Sequence, residues 1–264
     1  MTEQTARTPI ERIVTALRAA AKHGQPALVA FMTAGYPDRS KFREHLAAVA
    51  QEADVVEIGV PFSDPMADGV TIQRSSEGAL RAGVTLTWIL EELQLMDPVK
   101  APLLLMSYMN PLLAFGLDRL ARRAAGAGVC GFIVPDLPFD ESEELWSVLA
   151  PYNIALVQMV TPVTPSDRMS KLATASQGFV YAVTVTGTTG KNMGTADDIS
   201  AYLERVRAAA TVPVCAGFGI RTREQVERLR GQVDGVIVGS ALVEVLERGE
   251  SPQEFLAGLR PPRR

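Results

Sequence analysis

A chain of 264 residues with 26 Lys plus Arg against 30 Asp plus Glu carries a formal charge of −4, and 47% of it is apolar. That is length and apolar content for one sizeable buried core, read as a single domain over residues 1–264, and the slight acidity without a dense basic run argues against nucleic acid or an anionic membrane as partner. Only two His (His23, His45) and two Cys (Cys130, Cys215) are present, so a zinc site, an imidazole-based triad or a disulfide framework has little to be built from, and no metal is expected.

The opening MTEQTARTPIER has no apolar signal segment, and no later stretch approaches the roughly 18 apolar residues of a membrane span. A cytoplasmic location is expected, with both Cys as small buried hydrophobes. Thr8-Pro9 offers an N-cap and a first-turn proline to a helix carrying Ile10, Ile13, Val14 and Leu17 on one face. From there, short apolar runs alternate with segments of helical period. Strands are predicted to begin near Ala27 (ALVAFMT), Asp54 (DVVEIG), Pro102 (PLLLMS), Gly131 (GFIV), Ala155 (ALVQMV), Phe179 (FVYAV), Pro213 (PVCA) and Gly235 (GVIV). Between them, Leu86, Ile89, Leu90 and Leu93 follow Thr85, and Ile199, Tyr202, Leu203 and Val206 follow Thr195 with Asp197 and Asp198 in a first turn. Repeated βα units with eight strands predict a (β/α)8 TIM barrel. The helix before the first strand is then an extra element placed to close the barrel's bottom. The interval from Asp54 to Pro102 is the longest and predicts extra helix in the second βα loop, at the barrel end where catalytic groups gather.

That loop follows an acidic strand residue. In Val55-Val56-Glu57-Ile58-Gly59, Glu57 shares a face with Val55 and Gly59. A carboxylate on a barrel's inner face must be hydrogen-bonded, paired or protonated. None of the eight strands carries Lys or Arg, so a structural ion partner would have to come from a loop. Desolvation would raise the pKa of Glu57 toward neutrality, suiting a group that both gives and takes a proton. Asp68, after Pro61 and Pro65, reads either as a cap for a helix near Thr71 or as a second functional carboxylate, whereas Asp64 before Pro65 reads as a turn residue. Glycine-rich turns follow the sixth, seventh and eighth strands: Thr186-Gly187-Thr188-Thr189-Gly190, Gly217-Phe218-Gly219 and Val238-Gly239-Ser240. Together they suit an anion bound by backbone N–H groups and a helix N-terminus, as barrel enzymes bind phosphate.

The run VEIGVPFSDPMADG resembles the signature of the tryptophan synthase α-subunit family, and AFMTAGYP, PDLP, TGTTG, GFGI and VGS follow in order across residues 27–259. The resemblance implies retro-aldol cleavage of indole-3-glycerol phosphate to indole and glyceraldehyde 3-phosphate, with Glu57 and Asp68 as the acid–base pair. It implies Gly190, Gly219, Gly239 and Ser240 at the phosphate, and Phe31, Ile133 and Phe218 near the indole. The sixth loop corresponds to a lid in which Thr189 meets the catalytic Asp, and Tyr181 to a Tyr beside the acids; Val185 stands where some members carry a basic residue. It further implies no cofactor in this chain and a β-subunit partner holding pyridoxal phosphate in an αββα assembly, with residues 61–66 and 135–138 as interface candidates. Among rivals, a Schiff-base aldolase needs a strand-borne Lys, yet Lys22, Lys41, Lys100, Lys171 and Lys191 all lie outside the predicted strands. A metal-dependent epimerase needs His at strand ends, yet His23 and His45 fall on the first two helices. A free-standing indole-glycerol-phosphate lyase and a phosphate-binding regulatory subunit remain alternatives.

Overall fold

The computed structural model describes residues 7–22, 24–184, 196–217 and 219–260. Among them, eight parallel strands close into a barrel in sequence order, β1 pairing with both β2 and β8. The strands are β1 Ala27–Thr33, β2 Val55–Gly59, β3 Leu103–Met106, β4 Val129–Ile133, β5 Ala155–Val160, β6 Val180–Val183, β7 Val214–Gly217 and β8 Gly235–Val238. The helices are α1 Pro9–Lys22, α2 Phe42–Glu52, α3 Val70–Arg81, α4 Leu86–Leu95, α5 Met109–Phe115, α6 Leu117–Gly126, α7 Glu143–Leu149, α8 Ser166–Ala175, α9 Ala196–Ala209, α10 Arg223–Arg228, α11 Ser240–Glu247 and α12 Pro252–Leu259. This is the predicted TIM barrel. The long second interval holds both α3 and α4, and further extra helices stand between β3 and β4 and after β8.

Strand alternation splits the apolar residues into two cores. One face of each strand meets the helices, where Leu46, Ile89, Leu120 and Leu203 pack against Ile58, Leu105 and Val236. The other face fills the barrel with Val29, Val55, Leu104, Val157, Tyr181 and Cys215. Ile13 and Leu17 of α1 belong to this inner core, so the extra N-terminal helix does close the barrel. Its start is fixed by reciprocal bonds, Glu11 N–H to Thr8 Oγ1 at 3.3 Å and Thr8 N–H to Glu11 Oε2 at 2.9 Å. At the same end, Asp54 accepts the Leu28 N–H at 2.8 Å and pairs with Arg260 at 3.1 Å, tying the segment after α12 to the foot of β1.

Inside a barrel of this size large side chains fit only opposite small ones. A Cβ on Gly59 would lie 2.5 Å from the Phe31 ring, and one on Gly217 would lie 2.7 Å from the Tyr181 hydroxyl. These inner glycines make room for the two aromatic rings at the catalytic end of the barrel. The structure also moves one predicted boundary: β4 starts at Val129 rather than Gly131. Gly131 lies within the strand because a Cβ there would crowd Ala155 and Leu104 at 3.1–3.3 Å. Gly59→Ala should destabilise the protein by about 1–3 kcal/mol through displacement of the Phe31 ring, measured by urea unfolding; an unchanged midpoint would show that the ring yields freely.

Candidate active site

Glu57 is the middle residue of β2, between Phe31 of β1 and Leu104 of β3 in register. Its side chain takes the inner face, is 0% exposed, and neither carboxyl oxygen has a hydrogen-bond partner among the described residues. Burial alone pushes its pKa up to about 8. At neutral pH it is therefore a neutral carboxylic acid in an apolar enclosure, which is how the barrel tolerates it.

Asp68 lies in the loop between β2 and α3. The cap of α3 is Gly69, without any side-chain hydrogen bond, so Asp68 does not serve as the cap that its sequence position allowed. Its carboxylate accepts instead from the Tyr108 hydroxyl at 3.2 Å. Burial raises its pKa to about 6, and the Tyr108 bond opposes that rise. Asp64 behaves as the predicted turn residue, its carbonyl accepting the Met66 N–H and its carboxylate the Ser63 hydroxyl.

Phe31, Asp68 and Tyr108 line one cleft together with Thr33, Gly59 and Met106 at the C-terminal end of the strands. Tyr181 and Ile133 lie in the inner core below it. Burial first, then the nearby carboxylates of Glu57 and Asp68, raise the pKa of the Tyr181 hydroxyl. Gly239 lies beside Phe31, a Cβ on it falling 3.6 Å from that side chain. Gly239 is the N-cap of α11 and Ser240 its first residue, so the first amides of that helix have no partner within the helix. Gly219 has φ +75°, a conformation glycine adopts without strain. Thr189, Gly190 and Phe218, with Val185, Lys191, Thr195 and His23, lie outside the described residues. His45 sits on α2, as predicted.

Three contributors escaped the sequence reading. Tyr108 donates to Asp68, accepts the Ala67 N–H at 2.9 Å and stacks on Phe62 at 5.1 Å, so it holds the acidic loop from two sides. Its signal was a polar aromatic placed immediately after an apolar strand, in SYMNP. Ser76 of α3 clasps the same loop, receiving the Phe62 N–H at 2.7 Å and donating to the Phe62 carbonyl at 3.1 Å. Glu244, one turn into α11, accepts both Arg221 guanidinium nitrogens at 2.7 and 2.9 Å and the Thr71 hydroxyl at 3.2 Å. Arg221 follows Gly219 closely and Thr71 follows Asp68. One carboxylate thus joins the acid loop, the glycine loop and the helix that starts at Ser240, and Arg221 holds its pKa down to about 2.

The tryptophan synthase alpha chain family model matches residues 17–259. The chain belongs to that family. A tryptophan synthase alpha chain from Bacillus mycoides is 45% identical over 240 residues, covering 90% of this chain and 92% of the relative, and one from Bacillus cereus is 44% identical over 236 residues, covering 89% and 92%. Among solved structures, tryptophan synthase from Mycobacterium tuberculosis superposes with a TM-score of 0.86 at 33% identity, covering 95% of this chain and 99% of that one. The alpha subunit from Legionella pneumophila gives 0.84 at 28% identity, covering 96% and 97%. The reaction is the family's lyase step, cleavage of indole-3-glycerol phosphate to indole and glyceraldehyde 3-phosphate. The family implies a β-subunit partner, and pyridoxal phosphate belongs to that subunit. No helix of the described residues is long and apolar enough to cross a membrane.

The raised pKa of Glu57 has a consequence for stability. The native state keeps a proton on Glu57 up to about pH 8, whereas the unfolded chain loses it in the ordinary carboxylate range, so stability falls as pH rises through that window. Between about pH 5 and about pH 9 the parent protein should lose a few kcal/mol relative to Glu57→Gln, read from urea unfolding at each pH. Parallel pH profiles for the two proteins would show that Glu57 titrates normally in the fold.

Proposed function

We propose that Glu57 is the proton donor and acceptor of the cleavage and that Asp68 receives the indole N–H. Protonation of indole C3 by Glu57 places positive charge on the ring, which the Asp68 carboxylate stabilises through the ring nitrogen. The glycerol 3′-hydroxyl then returns its proton to Glu57, the C3–C3′ bond breaks, and its electron pair restores the aromatic ring. No water or external proton is consumed. The observation that carries this reading is a pair of contrasting environments around Tyr181, which feels both carboxylates: one acid kept neutral by burial and one whose pKa lies about two units lower. Phe31, Ile133 and Tyr181 supply the apolar walls for the ring, and Gly219, Gly239 and Ser240 the backbone and hydroxyl donors for the phosphate; Thr189, Gly190 and Phe218 belong to the same proposal by sequence. Placed acid–base groups contribute about 10²- to 10⁴-fold each, so anchoring by the phosphate must supply much of the remaining acceleration.

The chain reads as one barrel domain, cytoplasmic, joined to β subunits in an αββα assembly through residues 61–66 and 135–138. Support comes from Met66, which is 77% exposed on the second loop although large and apolar. Indole release by the purified chain should accelerate on adding the β subunit, because a partner seated there would immobilise the loop that carries Asp68. A rate unmoved by the partner favours a free-standing lyase.

Glu57→Gln should lower kcat by about 10²-fold or more with KM nearly unchanged, because the groups assigned to the phosphate and ring remain. Substantial residual turnover removes Glu57 from the acid role. The kcat profile of the parent protein should rise with pH as Asp68 ionises near pH 6 and fall as Glu57 ionises near pH 8. Tyr108→Phe removes the bond that lowers the pKa of Asp68, so the acid limb should move to higher pH while the alkaline limb stays. An acid limb that stays in place would detach it from Asp68.

A further inference from the structure

A second cavity, of about 170 Å³, lies outside the catalytic cleft where β4 and β5 part. These strands pair only from Gly131 with Ala155 to Ile133 with Val157. Beyond that point the space is walled by Leu137 and Phe139 from the segment after β4, Leu156 and Gln158 from β5, and Leu172 from α8. The side chains of the wall are apolar except for Arg168 and Gln158, the latter a residue only 8% exposed. Its backbone N–H is donated to Ser176 Oγ at 2.9 Å, and its carboxamide, open to the cavity, makes no hydrogen bond to any described residue. The carboxamide's donor and acceptor capacity is unused within the described residues, and the void beside it is large enough to supply a partner. Arg168, also at the wall, is ion-paired with Asp140, so the cavity does not demand an anion.

Size narrows the occupant. An enclosed cavity of about 150 Å³ holds a benzene ring, so this one has room for a ring with one small polar substituent. The cavity also touches the active site through a short chain of contacts. Pro135 and Leu137, in the segment also proposed to meet the β subunit, line it on either side of Asp136, whose carboxylate accepts the Met109 N–H at 2.9 and 3.2 Å. Met109 follows Tyr108, the donor to Asp68. We propose that this cavity is an effector site for a small uncharged ring compound bearing one hydroxyl or N–H group, held by the Gln158 carboxamide. Its occupant packs on both neighbours of Asp136, steadies the Asp136 to Met109 bond and so favours the Tyr108 to Asp68 contact. The binding half stands on the cavity alone, and the effector half rests on the role proposed for Asp68.

Phenol is the probe, with benzene as the ring without a handle, added to the full-length chain carrying ¹³C-labelled leucine methyls. Leu137 and Leu172 signals should shift saturably, with phenol half-saturating at roughly tenfold lower concentration than benzene. Gln158→Leu should erase that preference, and Gln158→Phe should fill the cavity and abolish the shifts. In parallel, phenol should raise kcat for indole release severalfold at the same half-saturation in the parent protein and leave Gln158→Phe unaffected. Absent shifts, or shifts that persist in Gln158→Phe, overturn the site; if that variant does not fold, a phenol preference surviving in Gln158→Leu does the same. Saturating shifts without a rate change overturn the effector role. Failure of the role assigned to Asp68 appears separately, as an acid limb unaffected by Tyr108→Phe while the methyl shifts remain.

Discussion

Burying a carboxyl group with no hydrogen-bond partner among the described residues inside a closed apolar barrel is costly, and the fold accepts it at Glu57. The cost is limited because the group stays protonated, and it stays protonated because Val55, Leu104, Tyr181 and the other inner side chains leave no room for solvent around it. Proton transfer and packing density are therefore the same property seen twice. A roomier core would admit water, lower the pKa of Glu57 and leave a permanently ionised carboxylate with no proton to give. The inner glycines belong to this arrangement, since Gly59 and Gly217 let Phe31 and Tyr181 occupy the catalytic end that smaller side chains would leave open.

The second acid is controlled by different means. Asp68 stands on a loop, where packing cannot fix a carboxylate, so hydrogen bonds do so. Tyr108 reaches it from the segment after β3, Ser76 clasps its loop from α3, and Glu244 ties the start of α3 to α11 and to Arg221. The first acid is held by an enclosure and the second by a web of polar contacts. The contrast accounts for pKa values displaced by different amounts, and it makes the second acid the one open to influence from neighbouring loops.

Much of this was legible in the sequence for reasons of periodicity. An apolar run interrupted by one Glu identifies both a strand and the face on which that Glu points, and the long interval after β2 announces α3 and α4. The signature around VEIGVPFSDPMADG singled out Asp68, whose local position alone was equally that of a helix cap. Tyr108 and Glu244 were not legible, because a contact between residues 40 or 173 positions apart leaves no trace in either local pattern. The start of β4 was missed for the opposite reason. Gly131 carries a local meaning, punctuation, that the crowding of Ala155 and Leu104 overrides. Local chemistry predicts what local geometry controls, and close approach inside a barrel is not local.

The pairing of β1 with β8 joins the beginning of the chain to its end, and Phe31 and Gly239 meet across that seam. The entropic cost of closing that distance is offset only by contacts that need β8 in place. The seam's latch on the opposite rim, Arg260 on Asp54, is contributed by the final residues of the described chain. During synthesis the acidic loop can be complete while the wall opposite it is still missing. A nascent or truncated chain would then have its acids but no enclosure to keep Glu57 neutral, so competence to react arrives only with the last strand.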